Sequence, residues 1–308
     1  MATHLSWARY GKDKVRVFRT VRNGDWHDVV EYTVCALLEG ALETSFTQAD
    51  NSVVVATDSV KNTVNILAKT SPHVLDPALF ALHIGLHFVT KYQHISKSVV
   101  SIDKFKWSRI AVGGKGHKHS FVRDGDEKEV VKVEVDASAG KDKVTGTVSC
   151  GLRDLLVLKS SGSAFEGFVT DEYTTLTPVS DRILSTAVEY EYTIPLNGHL
   201  TIDGLGALGD KAKFKEVAVN AKRVTLDLFA TDESASVQAT LFKMGQKIIE
   251  ENATVGAVTY KLPNKHYIPV NLSFFGLENV NPPEKVDVFT PIESPSGLIM
   301  ATVSRTAV

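Results

Sequence analysis

The chain has 308 residues, 43% of them hydrophobic and 23% charged, an ordinary soluble globular composition with enough apolar mass for a large core. A formal net charge of -2 argues against a general nucleic-acid or polyanion binder, and no apolar run approaches the ~20 residues of a membrane span. The first ten residues lack a signal-peptide core, and the two cysteines, Cys35 and Cys150, stand far apart in strand-like contexts, as buried free thiols of a reducing compartment would.

In chain order, residues 14–21 and 28–38 read as strands joined through the turn dipeptide Asn23-Gly24. In the second, Tyr32, Val34, Ala36 and Leu38 alternate with Glu31, Thr33 and Cys35, the period-2 pattern of one buried face. A short β-branched run, 51–56, precedes a helix that begins near Thr57-Asp58, either of which suits an N-cap, and carries Val60, Val64 and Leu67 on one face. A second helix over 76–92 opens with Asp76 before Pro77, and Leu79, Leu82, Leu86 and Val89 form its stripe. Strands are expected at 98–103, 105–112, 120–123 and 129–135, with a hairpin tip at Gly113 to Gly116.

The second half repeats that order. Strand material runs over 145–159 and 188–194. Helices follow at 214–229, with Val217, Ala221, Val224 and Leu228 in line, and after a cap at Ser234, with Val237, Leu241, Met244 and Ile248 in line. Strands at 255–262, 267–273, 286–290 and 298–304 close the chain, and Gly198 to Lys213, rich in Gly, Asp and Lys, reads as an exposed loop. The repeat divides the chain into two units, 1–140 and 141–308. Antiparallel sheets with helices on one face give an α+β fold. The open edges of two such sheets call for partners.

The stretch from Leu155 to Thr186 holds the most chemistry. A strand leads through Ser160-Ser161-Gly162-Ser163 to Phe165 and Phe168. After Pro178, Asp181 to Leu184 looks like a short helical turn bearing Arg182. An aromatic ring on a mobile loop offers a stacking face, and a nearby guanidinium offers two parallel donors, which together suit a flat anion. Other candidates also have ordinary readings: Lys12 as a solvated lysine, Thr57 and Asp58 as caps, Asn264 as a turn residue, His266 as a satisfied histidine, Gln238 as a solvent-facing helix residue.

The wording of this stretch, LxVLKSxxSxFxGFxxDxYTTLxxxxDRILST, resembles the central motif of the urate oxidase (uricase) family. So do Tyr10-Gly11-Lys12-Asp13, Val55-Ala56-Thr57-Asp58 with Lys61-Asn62-Thr63, Ser236-Val237-Gln238-Ala239-Thr240, and Leu262-Pro263-Asn264-Lys265-His266-Tyr267. The resemblance implies two tandem tunnelling-fold units that assemble as a homotetrameric barrel, with active sites between subunits. It implies oxidation of urate by dioxygen without a metal or other cofactor. Lys12, Thr57 and His266 would form a proton relay, with Lys12 and Thr57 supplied by the neighbouring subunit. Arg182 and Gln238 would grip urate along two edges, and Phe165 would stack on it. Asn264 would face the dioxygen or water site, and Asp58, Leu176, Val237 and Ile299 would complete the pocket.

Two histidine pairs, His117 with His119 and His83 with His87, lack the acidic or cysteine partners of a metal site, and the Gly-rich Gly113 to Gly116 lacks the spacing of a phosphate loop. The tunnelling fold also serves pterin enzymes, and a purine-binding module without oxidase activity is the alternative reading. The resemblance implies a peroxisomal address in eukaryotes. The terminal Thr306-Ala307-Val308 lacks the targeting tripeptide, which leaves the cytoplasm open.

Overall fold

The computed structural model describes residues 3–280 and 286–306; the last two residues of the C-terminal tripeptide lie outside that range. Alternating sequence makes long strands here, and helical periodicity makes the helices that cover them. The order is β1 (Tyr10–Asn23), β2 (Trp26–Gly40), α1 (Glu43–Thr47), α2 (Thr57–Thr70), α3 (Pro77–Lys91), β3 (Ile95–Phe105), β4 (Ser108–Val112), β5 (Lys115–Val122), β6 (Lys128–Asp136), β7 (Thr145–Lys159), β8 (Leu184–Pro195), α4 (Leu205–Ala212), α5 (Phe214–Thr231), α6 (Val237–Glu251), β9 (Ala257–Pro269) and β10 (Phe289–Ser304). Eight strands form one sheet in the order β1-β2-β3-β6-β7-β8-β9-β10, every neighbouring pair antiparallel, and β4 with β5 forms a separate hairpin. The fold is α+β as expected, with β1 and β10 as open edges.

Register explains why the helices lie on one side. Val15, Val34, Ile102, Val131, Cys150, Tyr192, Val258 and Val303 are paired in succession across the whole sheet. Directly opposed residues share a face, and all of this row but Val303 is buried. α2, α3, α5 and α6 pack on that face. Cys150 belongs to the row, whereas Cys35 points the other way and is only partly buried, unlike the expectation for it. Asp76 caps α3 as its sequence predicts, accepting the amide hydrogens of Ala78 at 3.0 Å and Leu79 at 3.1 Å.

The two halves share details as well as order. β1 and β7 each carry a bulge, with Lys14 at φ +55° and Asp154 at φ +61°. A basic residue after the last strand of each half caps a helix C-terminus. Lys141 donates to the carbonyls of Val89 at 2.6 Å and Tyr92 at 3.3 Å, behind α3. Arg305 donates to those of Ile249 at 2.6 Å and Asn252 at 2.9 Å, behind α6.

Several local expectations are corrected. Gly198 to Lys213 is not all loop: Leu205 and Ala212 are buried and anchor α4, which packs on α3. Ser236, not Ser234, caps α6, accepting the Ala239 amide hydrogen at 3.1 Å. Neither Thr57 nor Asp58 caps α2; Ala56 holds the cap position and offers no side-chain bond. Residues 51–53 form a 3-10 turn. The turn expected at Asp181 to Leu184 is not helical, because Leu184 already pairs with Lys159 as β8 begins. β9 runs unbroken through Pro263, which pairs with Leu298 of β10 while the ladder to β8 lapses between the Thr186–Asn264 and Glu189–Lys261 pairs, so no β8 partner calls for the missing amide. The strand expected at 105–112 breaks between Phe105 and Ser108.

Candidate functional site

The first half assembles Lys12, Thr57 and Asp58. Lys12 pairs with Ala36, which is fully buried, so the lysine lies on the helix-covered side of β1. The approach is close: a Cβ on Gly11 would lie 2.0 Å from the Ala36 carbonyl oxygen, so no larger residue fits beside Lys12. In the second half Gly151 stands in the same relation to Tyr190, and Leu152 occupies the place equivalent to Lys12. α2 begins at Thr57 with free amide groups and no side-chain cap. The Asp58 carboxyl is held below the ordinary carboxylate range, first by a hydrogen bond from Lys61 and in smaller part by the charge of Lys12.

The second half assembles Phe165, Arg182, Val237, Gln238, Asn264 and Ile299. Three connecting segments are zipped together by their backbones. The Phe165 and Val179 amides donate to each other's carbonyls at 2.8 and 3.1 Å, the Ala164 amide donates to the Ser234 carbonyl at 2.8 Å, and the Arg182 amide donates to the Ser163 carbonyl at 2.8 Å. This brings the Arg182 guanidinium over the Phe165 ring at 5.1 Å. Phe168 lies parallel to Phe165 at 4.9 Å. Val237, the first residue of α6, shares a small apolar void with Leu184, Thr186 and Leu262. That carries Gln238, exposed in the first turn, to the same end of the sheet. On β9, Asn264 pairs with Thr186 on one side and Gly297 on the other, and Ile299 pairs with Leu262. His266 lies two residues beyond Asn264 on the same face. Leu176 is 51% exposed on the outer part of the 160–183 loop.

This end of the second half contains polar atoms with no partner. Ser163 Oγ, Arg182 Nε and Thr186 Oγ1 are all buried and make no hydrogen bond. Burial lowers the Arg182 pKa, and no carboxylate among the described residues offsets the cost. A half-buried guanidinium with no carboxylate partner among the described residues suits an anion. Among the described residues no group of three or more His, Cys, Asp or Glu could hold a metal ion, and no helix is long and apolar enough to cross a membrane.

The two groups do not meet within one chain. β1 and β9 are separated by six strand spacings of about 4.8 Å, or about 29 Å along the sheet. Lys12 and Thr57 sit at one edge, and His266 and Asn264 sit near the other. The scaffold that aims Phe165 and Arg182 was not predictable from sequence. The Asp181 carboxylate accepts the Ser161 hydroxyl hydrogen at 2.6 Å and the Gly162 amide hydrogen at 2.7 Å, and these bonds hold its pKa below the ordinary range. Its only sequence signal is its position beside Arg182.

Comparison with known proteins gives a single family. The sequence profile described as Uricase matches residues 8–134 and 148–300. Proteins named Uricase from Emericella nidulans and Aspergillus flavus are 46% and 45% identical to this chain, over 97% of its length and 96% of theirs. The crystal structure of uricase from Arthrobacter globiformis superposes with a TM-score of 0.85 at 31% identity, covering 100% of this chain and 97% of that one. The structure of a uricase from Bacillus fastidious, at 24% identity and a TM-score of 0.78, shares the fold.

Proposed function

The chain belongs to the uricase family and is a urate oxidase, with urate and dioxygen as substrates, and from that premise we propose how its residues divide the work. The observation that carries the assignment of the binding end is Arg182, half-buried over Phe165 with no counter-ion among the described residues. Urate is a flat anion. Its carbonyl and ring-nitrogen edge suits the guanidinium fork, and its opposite edge suits the donor and acceptor of the Gln238 amide. Phe165 supplies the stacking face; since Phe168 and Arg182 both lie against that ring, binding moves one of them aside. Val237 adds its backbone, and Leu176 and Ile299 line the pocket.

Lys12, Thr57 and His266 act as the proton relay, and Asn264 faces the dioxygen or water site. Urate loses a proton to the relay and gives two electrons to dioxygen, forming a hydroperoxide at a ring carbon. Water then displaces hydrogen peroxide from that carbon, leaving 5-hydroxyisourate. Electron-rich urate reduces dioxygen directly, so the reaction calls for no cofactor. The protein contributes proximity, proton transfer and exclusion of bulk water.

Because the two groups lie in opposite halves of one sheet, each complete site takes Lys12, Thr57 and Asp58 from one protomer and the remaining residues from another. Repetition of the first half's order in the second supports two tunnelling-fold units, 1–140 and 141–308, closing with other copies into a homotetrameric barrel. Open edges at β1 and β10 favour this assembly. So do Phe274 and Phe275, 93% and 78% exposed in the single chain. The test adds urate to protein treated with a chelator and follows loss of urate ultraviolet absorbance together with oxygen uptake. Equal consumption of both is expected. Binding without oxygen uptake would make the protein a purine-binding module, and loss of turnover on chelation would make it metal-dependent.

A further inference from the structure

The structure assigns Tyr10 as a positioning residue that holds Thr57 beside Lys12; this rests on the reading of Lys12 and Thr57 as parts of one relay. Tyr10 and Lys12 are two residues apart on β1, before its bulge, and pair with Leu38 and Ala36. Both partners are fully buried, so both side chains lie on the helix-covered side. From there the Tyr10 hydroxyl oxygen accepts the Val55 amide hydrogen at 2.6 Å. Val55 is itself buried and lies two residues before Thr57.

α2 has no side-chain cap at that end. Ala56 at the cap position makes no side-chain hydrogen bond, and the Asp58 carboxylate is turned along the helix to Lys61 at 2.6 Å and Asn62 at 2.8 Å. Thr57 is exposed at the helix start. Besides the packing of α2 on β1, this hydroxyl hydrogen-bonds the strand that carries the lysine to the segment that carries the threonine, with Tyr10 and Val55 45 residues apart in sequence. Burial raises the Tyr10 pKa above its ordinary value, so the group stays a neutral hydroxyl through the physiological range. A proton relay is more sensitive than overall stability to the distance between its members, because misplacement by a fraction of an ångström lowers the rate steeply.

The test is Tyr10→Phe, which keeps the ring in its packing and removes only the acceptor. Its kcat should fall about tenfold, the cost of one well-placed hydrogen bond, while KM for urate stays within about twofold and the variant melts within a few degrees of the parent. The effect should vanish when the same change is made in a Thr57→Ala background, since Tyr10 then has nothing left to position. A Tyr10→Phe enzyme with undiminished kcat, or one whose loss simply multiplies that of Thr57→Ala, would overturn the assignment. Should Lys12→Ala and Thr57→Ala both retain full turnover, the relay itself would be wrong, a result distinguishable from failure of the Tyr10 inference alone.

Discussion

Gly11→Ala is the most informative change at the first half-site. The added Cβ would sit 2.0 Å from the Ala36 carbonyl oxygen and 2.8 Å from the Leu37 Cα. Real Cβ atoms essentially never approach closer than 3.0 Å, so β1 must move off β2 by about 1 Å beside Lys12. A shift of about 1 Å in a reacting group costs on the order of 100-fold in rate, whereas strain of this kind costs about 1–3 kcal/mol of stability. Gly151→Ala is the matched control. It makes the same 2.0 Å clash, with the Tyr190 carbonyl oxygen, at the equivalent bulge of β7, where Leu152 replaces the lysine. Both variants should lose similar stability in denaturant titrations, but only Gly11→Ala should lose kcat with urate. Equal kcat in the two would refute the reading that the close approach at Gly11 places Lys12 for its role.

Arg182→Ala should abolish urate binding measured by calorimetry, because no other described cation is placed over Phe165, whereas Lys12→Ala should leave binding nearly intact and cut turnover; the reverse pattern would exchange their roles. Asp181→Ala should raise KM about tenfold with little change in kcat, as it frees the loop start that carries Phe165 by removing the hydrogen bonds from Ser161, Gly162 and Ser163; an unchanged KM would remove Asp181 from the scaffold. His83 and His87 have pKa values lowered from 6.5, chiefly by burial. Unfolded histidines therefore bind protons that the folded ones refuse, so stability is full above pH 6.5 and declines as pH falls below it. The melting temperature should be flat above that value and drop below it, and His87→Gln should make the drop shallower; a drop of equal slope would clear His87.

Much of the fold was legible because one face of the sheet is buried along its length, which imposes strict alternation on β2 and on the first half of β7. α3 was legible from its cap and proline. α4 was hidden because two buried residues in a Gly-rich segment carry too little periodicity. β9 reads as two strands in the sequence because Pro263 is a breaker wherever both neighbouring strands demand its amide, and only the strand pairing shows that the β8 ladder lapses there. The bulge at Lys14 was invisible as well, since nothing local announces a left-handed lysine, yet it decides that Lys12 lies on the same face as Val15. As for the site, the residue types came from the family wording. That Lys12 and Arg182 fall in opposite halves of one sheet required the strand order, which no local pattern encodes.

Whether the site is shared between chains is tested by mixing two inactive variants. Unfolding Lys12→Ala and Arg182→Ala protein together in equal amounts and refolding the mixture lets any protomers that associate pair at random. If the lysine and the arginine of one site come from different protomers, about a quarter of the sites recover both, and urate oxidation should return to about that fraction of wild type. If each site were built within one chain, every site would lack one residue or the other, and the mixture would remain as inactive as its parents.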